Sequence, residues 1–386
     1  MAKYKIDLDR LAADFATAKA NADGLGVSLA MALKGFPCPA AFPVIAPYIS
    51  AVTASGLFEA KLGALAKVPV HVHAPAYRAD EMDELCKVCS HIVFNSLAQL
   101  KAFGPACAAA GCHVGLRINP GFSFADSLKY DPCCPDSRFG VLPDEFVAFL
   151  AEPVNADAVA ALDGLHVHAL CEGRPPAFAK LVERFTRQVE SFLAANGSLK
   201  LNWINLGGGQ TINDPGYATE HASAAVAELR RMGPFEVIIE PSEYLVRYAG
   251  TIEANVLDVI HRGQKDIAIL DVSLVCHATD VVIYDMRPDI LRPAQRAGGR
   301  KTILGAVSCL AGDVIGQYEF DCPLVVGDTV EIGGMGCYSF AQQSWFNGIR
   351  HPDLVVISQE KGEKVAVSWS FNDYLRDFFR DDTSMV

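Results

Sequence analysis

The stretch WINLGGG at residues 203–209, followed by FEVIIEP at 235–241, shows the pattern that decides the fold. Each is a short β-rich run that ends in glycine or proline, and a helical segment lies between them. Strands that alternate with helices in this way predict parallel βα units. Six similar runs precede these two, at 27–34, 51–55, 68–74, 91–96, 113–120 and 164–170. Eight such units close a (β/α)8 barrel, so the sequence predicts that fold.

The connections between the predicted strands carry their own signals. The segment 121–163 is interpreted as an insertion, and its stretch DPCCPDSRFG (131–140) favours an ordered loop near the barrel mouth over a helix. Between the sixth and seventh strands, apolar side chains at helical spacing predict a helix that packs on the barrel. These side chains are Phe178, Leu181, Val182, Phe185, Val189, Phe192 and Leu193.

A second domain is predicted from the change of texture after about residue 250. Runs such as TIEANVLDVI, DIAILDVS, ILGAVSC, PLVVGDTVEI, DLVVIS and KVAVSWS are rich in β-branched residues and separated by Gly and Asp turns. This pattern is typical of an antiparallel β domain. The first residues, KYKIDL, are expected to add one strand to it. We therefore predict a barrel at 8–250 that is inserted into a β domain formed by 1–7 and 251–386.

Composition limits the possible functions. The chain has 386 residues, of which 51% are apolar and 20% charged, so it can bury a large core and has no signature of disorder. Its formal charge of -12 argues against binding nucleic acid and is compatible with a cationic substrate. The charged start MAKYKIDLDR and the lack of a long apolar run predict neither export nor a membrane span, hence a cytoplasmic protein.

The twelve cysteines are expected to be reduced thiols, most of them small core residues. Cys86 and Cys89 form a single CxxC in a helical-looking stretch, and no second pair follows with the spacing of a zinc site. Cys133 and Cys134 are adjacent and indicate a metal no better. We therefore expect no metal at either pair.

Polar residues occupy nearly every predicted strand end. In parallel barrels the catalytic groups lie at the carboxyl ends of the strands, so these positions predict an active site. In chain order they are Lys34, Thr53 and Ser55, His73, Asn95, Arg117 and Asn119, His168, Gly207 to Gly209, and Glu240.

Lys34 and the triple glycine together predict a phosphorylated aldehyde cofactor. Lys34 follows the apolar run LAMAL, where desolvation would lower its pKa and leave a nucleophilic amine. The alternative is an ordinary surface lysine. Gly207, Gly208 and Gly209 end the seventh strand, where phosphate binds in many barrels, although three glycines also suit a plain tight turn.

Glu240 and His168 suit the aromatic ring of such a cofactor. Glu240 could pair with a pyridine nitrogen and keep it protonated, or it could be a solvated loop acid. His168 could lie against the ring, or it could be a core histidine bonded to backbone. The two HVH triplets, His71/His73 and His166/His168, could instead bind a metal, as in amidohydrolase barrels, but those place the pair on the first strand and add acidic ligands.

The chain resembles the fold-type III pyridoxal 5'-phosphate (PLP) decarboxylases of the alanine-racemase-like superfamily, especially the carboxynorspermidine decarboxylases. The resemblance runs through almost the whole chain. It rests on ALKGF, SGLFEAKLG, HIVFNS, LRINP, YDPCCPDSRFG, GLHVHALCE, WINLGGG, SCLAGDVIG, PLVVGD and FNGI, in that order. It implies decarboxylation of an amino acid with a distal amine, with carboxynorspermidine or carboxyspermidine as the expected substrate and a diamino acid of a specialised, siderophore-like pathway as the alternative.

The resemblance also implies roles for individual residues. Lys34 would bind PLP covalently, His168 would stack on its ring and Glu240 would pair with its nitrogen. Cys309 would return a proton to the substrate, and it would reach a partner subunit's site together with Asp313, which implies an obligate homodimer. The remaining cofactor-binding positions are Glu59, Arg117, Gly207 to Gly209 and Tyr338, and the substrate-binding positions are Asp285, Asp313 and Arg138.

Departures from the family pattern concern the substrate more than the reaction. The family's EPGEA is EPSEY here with Ser242, its GGGH ends in Gln210, and its MAHYT is MGCYS. The stretch HATDVVIYDMRP (277–288) lacks the glutamate that lies near the substrate amines, so Asp285 is the expected replacement. A racemase of the same fold would carry arginine in place of Glu240, and PLP-binding barrels without catalysis lack the added β domain.

Overall fold

The computed structural model describes residues 1–125, 131–291 and 300–378, and it divides into two compact units. One unit is Ala12–Leu245, and the other combines Met1–Leu11 with Val246–Val386. The limits of these units lie within a few residues of the boundaries predicted from the sequence. That the units are separate domains stays a prediction. Within the described residues, no helix is long and apolar enough to cross a membrane.

The predicted (β/α)8 barrel is confirmed. The chain begins with a strand outside the barrel, β1 (Lys3–Asp7). The next eight strands pair in parallel, in chain order, and the eighth of them pairs with the first of them to close the barrel. They are β2 (Ser28–Ala32), β3 (Ala51–Ala54), β4 (Val70–His73), β5 (His91–Phe94), β6 (His113–Ile118), β7 (Gly164–Val167), β8 (Trp203–Asn205) and β9 (Glu236–Ile239).

Helices connect the barrel strands, as predicted. In chain order they are α1 (Leu8–Leu25), α2 (Phe42–Ile45), α3 (Leu57–Gly63), α4 (Met82–Val88), α5 (Leu97–Ala109), α6 (Pro143–Ala151), α7 (Ala156–Ala161), α8 (Pro175–Ala195) and α9 (Glu220–Arg231). The apolar face predicted for α8 is fully buried except for Leu193, which is half-buried. Such a face is what holds an amphipathic helix on the barrel.

The strands end earlier than predicted, and the backbone explains why. β8 stops at Asn205 because Gly207 and Gly209 take φ values of +69° and +92°, which lie outside the β region. β2 stops at Ala32 because a 3-10 turn, Leu33–Gly35, follows and carries Lys34. The extra residues therefore form the barrel mouth rather than its wall.

Trp203 fills the barrel interior near the amino ends of β6 to β8. A Cβ atom on Gly164 would lie 1.9 Å from the Trp203 ring, and one on Gly115 would lie 2.3 Å from it, so only glycine fits at both positions. The indole N–H donates to Asp163 Oδ1 at 3.0 Å, which satisfies its one polar atom. The surrounding core cluster is Ala30, Ala51, Val93, Trp203 and Ile238.

The second unit contains a mainly antiparallel sheet, as predicted. Besides β1, its strands are β10 (Gly250–Arg262), β11 (Lys265–Leu270), β12 (Arg300–Gly305), β13 (Val314–Phe320), β14 (Thr329–Ile332), β15 (Asp353–Ser358) and β16 (Gly362–Val367). Their order in the sheet is β13-β12-β11-β10-β1-β15-β16, and β14 pairs with β10. β1 pairs antiparallel with β10 and parallel with β15, so the predicted contribution of KYKIDL is confirmed. The strand β13 was not predicted.

Short helices accompany this sheet. They are α10 (Glu243–Val246), α11 (Leu274–His277), α12 (Thr279–Tyr284), α13 (Tyr338–Ala341) and α14 (Phe371–Phe378). Two of them carry residues predicted to bind ligands: Tyr338 begins α13, and Asp285 directly follows α12 in a left-handed conformation with φ of 52°.

Candidate active site

The polar strand ends meet at one end of the barrel unit, because parallel strands place their carboxyl ends together. Lys34 follows β2, His73 ends β4, His168 follows β7 and Glu240 follows β9. Arg117 points from β6 and is buried. The chain thus collects an amine, a guanidinium, imidazoles and a carboxylate at the same mouth.

Lys34 is exposed to solvent, so the expected desolvation by the preceding apolar run was wrong. The 3-10 turn after β2 carries the lysine beyond the strand and away from the apolar interior. Its positive charge acts on four neighbours. It adds to the burial that lowers the pKa of His73, His166 and His168. It counteracts the burial that raises the pKa of Glu59, whose carboxylate also accepts the Ser55 N–H at 2.5 Å.

Glu240 is held as a buried, ionised carboxylate. Its side chain is 14% exposed, which excludes the solvated loop acid that the sequence left open. Asn205 Nδ2 donates to Oε1 at 2.6 Å, and His166 Nε2 lies 3.5 Å from Oε2. Burial raises the pKa of Glu240, but the interactions with His166, His71 and Asn205 outweigh it and hold the pKa below its usual value.

His166 supports Glu240 as a neutral imidazole. Burial lowers its pKa against the opposing effect of Glu240, so at neutral pH it donates through Nε2–H without adding a positive charge. Its ring stacks on that of His73, with centroids 5.2 Å apart and planes 11° apart. Within the described residues, His166 Nδ1 and His73 Nε2 are buried and have no hydrogen-bond partner.

His168 is fixed by the glycine loop. Its Nδ1 accepts the Gly208 N–H at 2.9 Å, which leaves the proton on Nε2. Burial, Lys34 and Arg117 hold its pKa well below the usual value, so the ring is neutral. Cys133 Sγ also donates to the His168 carbonyl at 3.3 Å. A core histidine would make such backbone contacts, and the same contacts orient the ring for stacking on a cofactor.

The triple glycine is required by close backbone approach. A Cβ atom would lie 2.4 Å from Val167 O at Gly207, 2.4 Å from Glu240 O at Gly208 and 2.3 Å from Leu170 O at Gly209. Each distance is too short for a side chain. Two of the three amides already donate inside the barrel, from Gly207 to Asn205 Oδ1 at 2.8 Å and from Gly208 to His168. Among the hydrogen bonds of the described residues, the Gly209 amide donates none.

The loop DPCCPDSRFG lies at the same mouth, as predicted, and Asn95 fastens it. Asn95 donates to the Arg138 carbonyl at 2.8 Å and accepts the Gly140 N–H at 2.9 Å. The guanidinium groups of Arg117 and Arg138 lie 4.4 Å and 4.3 Å from the centroid of the Phe139 ring. Burial lowers the pKa of Arg117 to about 10, so it remains charged at neutral pH.

Among the described residues, neither Arg117 nor Glu59 forms an ion pair within 4.0 Å. Nor does the described part of the chain hold a group of three or more His, Cys, Asp or Glu arranged to bind a metal. The two HVH motifs instead contribute to ring contacts: His73 stacks on His166, and His71 packs against His91 with the ring planes tilted by 42°.

The remaining predicted site residues belong to the second unit. Cys309 is exposed, and its N–H donates to Asn347 Oδ1 at 2.8 Å. Asp285 is exposed and Tyr338 is half-buried. Asp313 is 3% exposed, and its carboxylate accepts hydrogen bonds from Ser273 Oγ, Leu274 N–H and Ser308 Oγ. A carboxylate has about four acceptor positions, so these three hydrogen bonds occupy most of them.

Asn205 is a functional residue that the sequence analysis missed. Its side-chain amide donates through Nδ2 to the Glu240 carboxylate and accepts the Gly207 N–H through Oδ1, so it connects the carboxylate to the glycine loop. It ends β8 and is 1% exposed. The sequence signal for this residue was a polar side chain directly after the apolar residues Trp203 and Ile204. The adjacent triple glycine was interpreted as the functional end of the strand instead.

The chain is similar to known decarboxylases, although no protein-family model matches it. The carboxynorspermidine/carboxyspermidine decarboxylase of Campylobacter jejuni subsp. jejuni serotype O:6 is 31% identical over 384 residues, 96% of each chain. The carboxyaminopropylagmatine decarboxylase of Synechocystis sp. is 32% identical over 353 residues, 90% of this chain and 87% of that protein. The crystal structure of carboxynorspermidine decarboxylase complexed with norspermidine from Campylobacter jejuni matches with a TM-score of 0.83 at 29% identity, covering 97% and 99% of the two chains.

Proposed function

This chain belongs to the carboxynorspermidine/carboxyspermidine decarboxylases, a branch of the fold-type III PLP-dependent decarboxylases, and we propose that it removes the α-carboxyl group of carboxynorspermidine or carboxyspermidine. The observation that carries the proposal is Glu240, a buried carboxylate kept ionised beside the strand end that carries His168. An ionised carboxylate in that environment suits a protonated pyridine nitrogen.

The residues at the barrel mouth fit PLP. The glycine loop brings backbone to the barrel mouth, with positive φ values at Gly207 and Gly209, and Thr211 Oγ1, close behind it in the chain, is buried without a partner in the described structure. Lys34 is exposed to solvent and would hold the aldehyde group. When bound, PLP supplies a conjugated ring that accepts the electron pair left behind by carbon dioxide.

Each side chain then has a definite task. Glu240 would keep the pyridine nitrogen protonated, and Asn205 with neutral His166 holds Glu240 in its ionised form. His168, fixed through Gly208, would be the residue that stacks on the ring. Lys34 would hold the cofactor covalently. Glu59 and Arg117, and separately Tyr338, are the further residues that we assign to cofactor binding.

The proton that replaces carbon dioxide comes from Cys309, whose exposure lets it reach the active site of a second subunit. We assign Asp313 to the same shared site, where its remaining acceptor position holds a substrate amine by a charge-assisted hydrogen bond. The enzyme is therefore an isologous homodimer with two shared sites. We place it in the cytoplasm, where thiols such as Cys309 stay reduced.

The substrate assignment rests on relatives that are named for different substrates. We assign Asp285, with its exposed carboxylate, to the distal cationic group of the substrate, and we also assign Arg138 to substrate binding. The relative from Synechocystis sp., equally similar to this chain, is named for carboxyaminopropylagmatine, so that compound is the second candidate. Both candidates combine an α-amino acid with a distal cationic group, which suits the acidic protein.

The test is carbon dioxide release by the PLP-loaded protein. We would compare carboxynorspermidine, carboxyspermidine and carboxyaminopropylagmatine with ornithine, lysine and diaminopimelate. A preference for either of the first two supports the proposal, and a preference for the third selects the second candidate. Release from ornithine, lysine or diaminopimelate alone would contradict the substrate, and no release from any compound, with PLP bound, would contradict the reaction.

A further inference from the structure

Four cysteines cluster on the helical side of the barrel, away from the proposed active site. Cys86 lies on α4 and Cys107 on α5, while Cys89 directly follows α4 and Cys112 lies three residues after α5. We call these four residues the thiol cluster. Cys89 and Cys112 come just before β5 and β6, so the cluster lies at the amino ends of strands whose carboxyl ends form the mouth. The inference is therefore independent of the proposed function.

Two sulfurs of the cluster face each other. Cys86 Sγ lies 3.5 Å from Cys107 Sγ, at hydrogen-bond distance. Cys112 Sγ donates to the carbonyl oxygens of Cys86 and Cys89, each at 3.5 Å, and its side chain also lies near that of Cys86. Among the described residues these thiols do not form a group that could hold a metal. Cys86 and Cys107 are the pair joined by a direct sulfur–sulfur contact, and this pair is not the CxxC that the sequence singles out.

We propose that Cys86 and Cys107 are a redox-active dithiol that closes to a disulfide by exchange with a small disulfide such as oxidised glutathione. The pair is built for the two steps of exchange, since Cys86 is half-buried and can be reached from solvent while Cys107 is only 1% exposed. An S–S bond is about 2.0 Å long, so a side-chain rotation of modest size closes the gap.

The exchange balances without another reactant. Cys86 bonds to one sulfur of oxidised glutathione while the glutathione S–S bond breaks, and the first glutathione leaves as a thiol with the Cys86 proton. Cys107 then bonds to Cys86, the mixed disulfide breaks, and the second glutathione leaves with the Cys107 proton. Two protein thiols are oxidised, and one glutathione disulfide is reduced to two thiols.

Burial sets the rate of the second step. It raises the pKa of Cys107 far above the usual thiol value, with the neighbouring Cys86 and Cys112 adding to the effect. The attacking form is the thiolate, so closure is slow at neutral pH and accelerates as the pH rises. We therefore expect the disulfide to close only slowly at neutral pH.

The test uses the folded full-length protein, oxidised glutathione at about pH 8, an acid quench, alkylation and peptide mapping by mass spectrometry. We expect a peptide pair joined through Cys86 and Cys107, and a reducing agent should restore both thiols. A Cys86–Cys89 or Cys86–Cys112 bond would contradict the pairing. So would a stable glutathione adduct on Cys86. The exposed Cys309 reports whether the oxidant was active, because no change at Cys86 while Cys309 reacts would also refute the proposal.

Two variants separate this pairing from the alternative that the CxxC suggests. Cys107→Ser should trap glutathione on Cys86, because the second thiol is missing. The matched control Cys89→Ser should still form the Cys86–Cys107 bond. The opposite result, with Cys89→Ser unable to close and Cys107→Ser unaffected, would overturn the assignment. If either variant fails to fold, the map of the unmodified protein still decides the question.

Discussion

Replacing Asn205 with alanine should shift the acid limb of the pH profile of catalysis. The side chain donates a 2.6 Å hydrogen bond to the buried Glu240 carboxylate. A hydrogen bond to a charged group is worth about 1.5–3 kcal/mol, and about 1.4 kcal/mol corresponds to one pKa unit. Loss of the bond therefore raises the pKa of Glu240 by about 1–2 units. The acid limb of kcat, measured by carbon dioxide release with saturating PLP, should move to higher pH by the same amount.

The control for this prediction is Asn155→Ala. Asn155 is also a buried asparagine, 6% exposed, and its side chain donates to the Phe149 carbonyl at a distance of 2.9 Å. This hydrogen bond does not involve the strand ends that form the barrel mouth. Both variants should lower the free energy of unfolding, since each removes a hydrogen bond between the side chain and a backbone group. Only Asn205→Ala should move the acid limb. If the limb stays in place in Asn205→Ala while stability falls as in the control, Asn205 is merely structural.

Three further predictions test the chemistry, the glycine loop and the barrel interior. Lys34→Ala should abolish carbon dioxide release without changing the circular dichroism spectrum, and full activity would overturn the role of the lysine. Gly208→Ala should weaken PLP binding about tenfold or more, because its Cβ atom lies 2.4 Å from Glu240 O and overpacking costs about 1–3 kcal/mol; unchanged binding in a fluorescence titration would contradict this. Burial lowers the pKa of His71 to about 4, so below pH 6.5 the unfolded chain binds a proton that the folded chain does not. The free energy of unfolding should then fall by about 3 kcal/mol between pH 6.5 and 4 through this residue, and His71→Leu should flatten that slope in urea titrations.

The barrel could be predicted from the sequence because its signals are local. Each strand is a short β-rich run, and eight runs alternate with helical segments, so type and order follow without knowledge of long-range contacts. Strand ends were harder, since residues such as those after Asn205 continue the run until positive φ values end it. The parallel pairing of β1 with β15 joins residues some 350 positions apart and has no local signal.

The site was predictable where one residue type suggests one task, and not where the task depends on a partner. Lys34 and Glu240 stand out at strand ends, but the exposure of Lys34 follows from a 3-10 turn that the sequence did not indicate. Asn205 becomes meaningful only once β8 and β9 place it beside Glu240. The thiol cluster is similar: the sequence shows Cys86 near Cys89, whereas the fold brings Cys86 to Cys107.

The histidines around Glu240 serve the site best when they are uncharged. Burial is the first cause that lowers the pKa of His71, His73, His166 and His168, so at neutral pH none of them cancels the carboxylate charge. A protonated His166 would hold Glu240 as an internal ion pair, and the carboxylate would then attract a pyridine nitrogen less strongly. A neutral His166 still donates its hydrogen bond and leaves the negative charge available. The same burial that destabilises the barrel at low pH therefore preserves the electrostatic function of Glu240 at neutral pH.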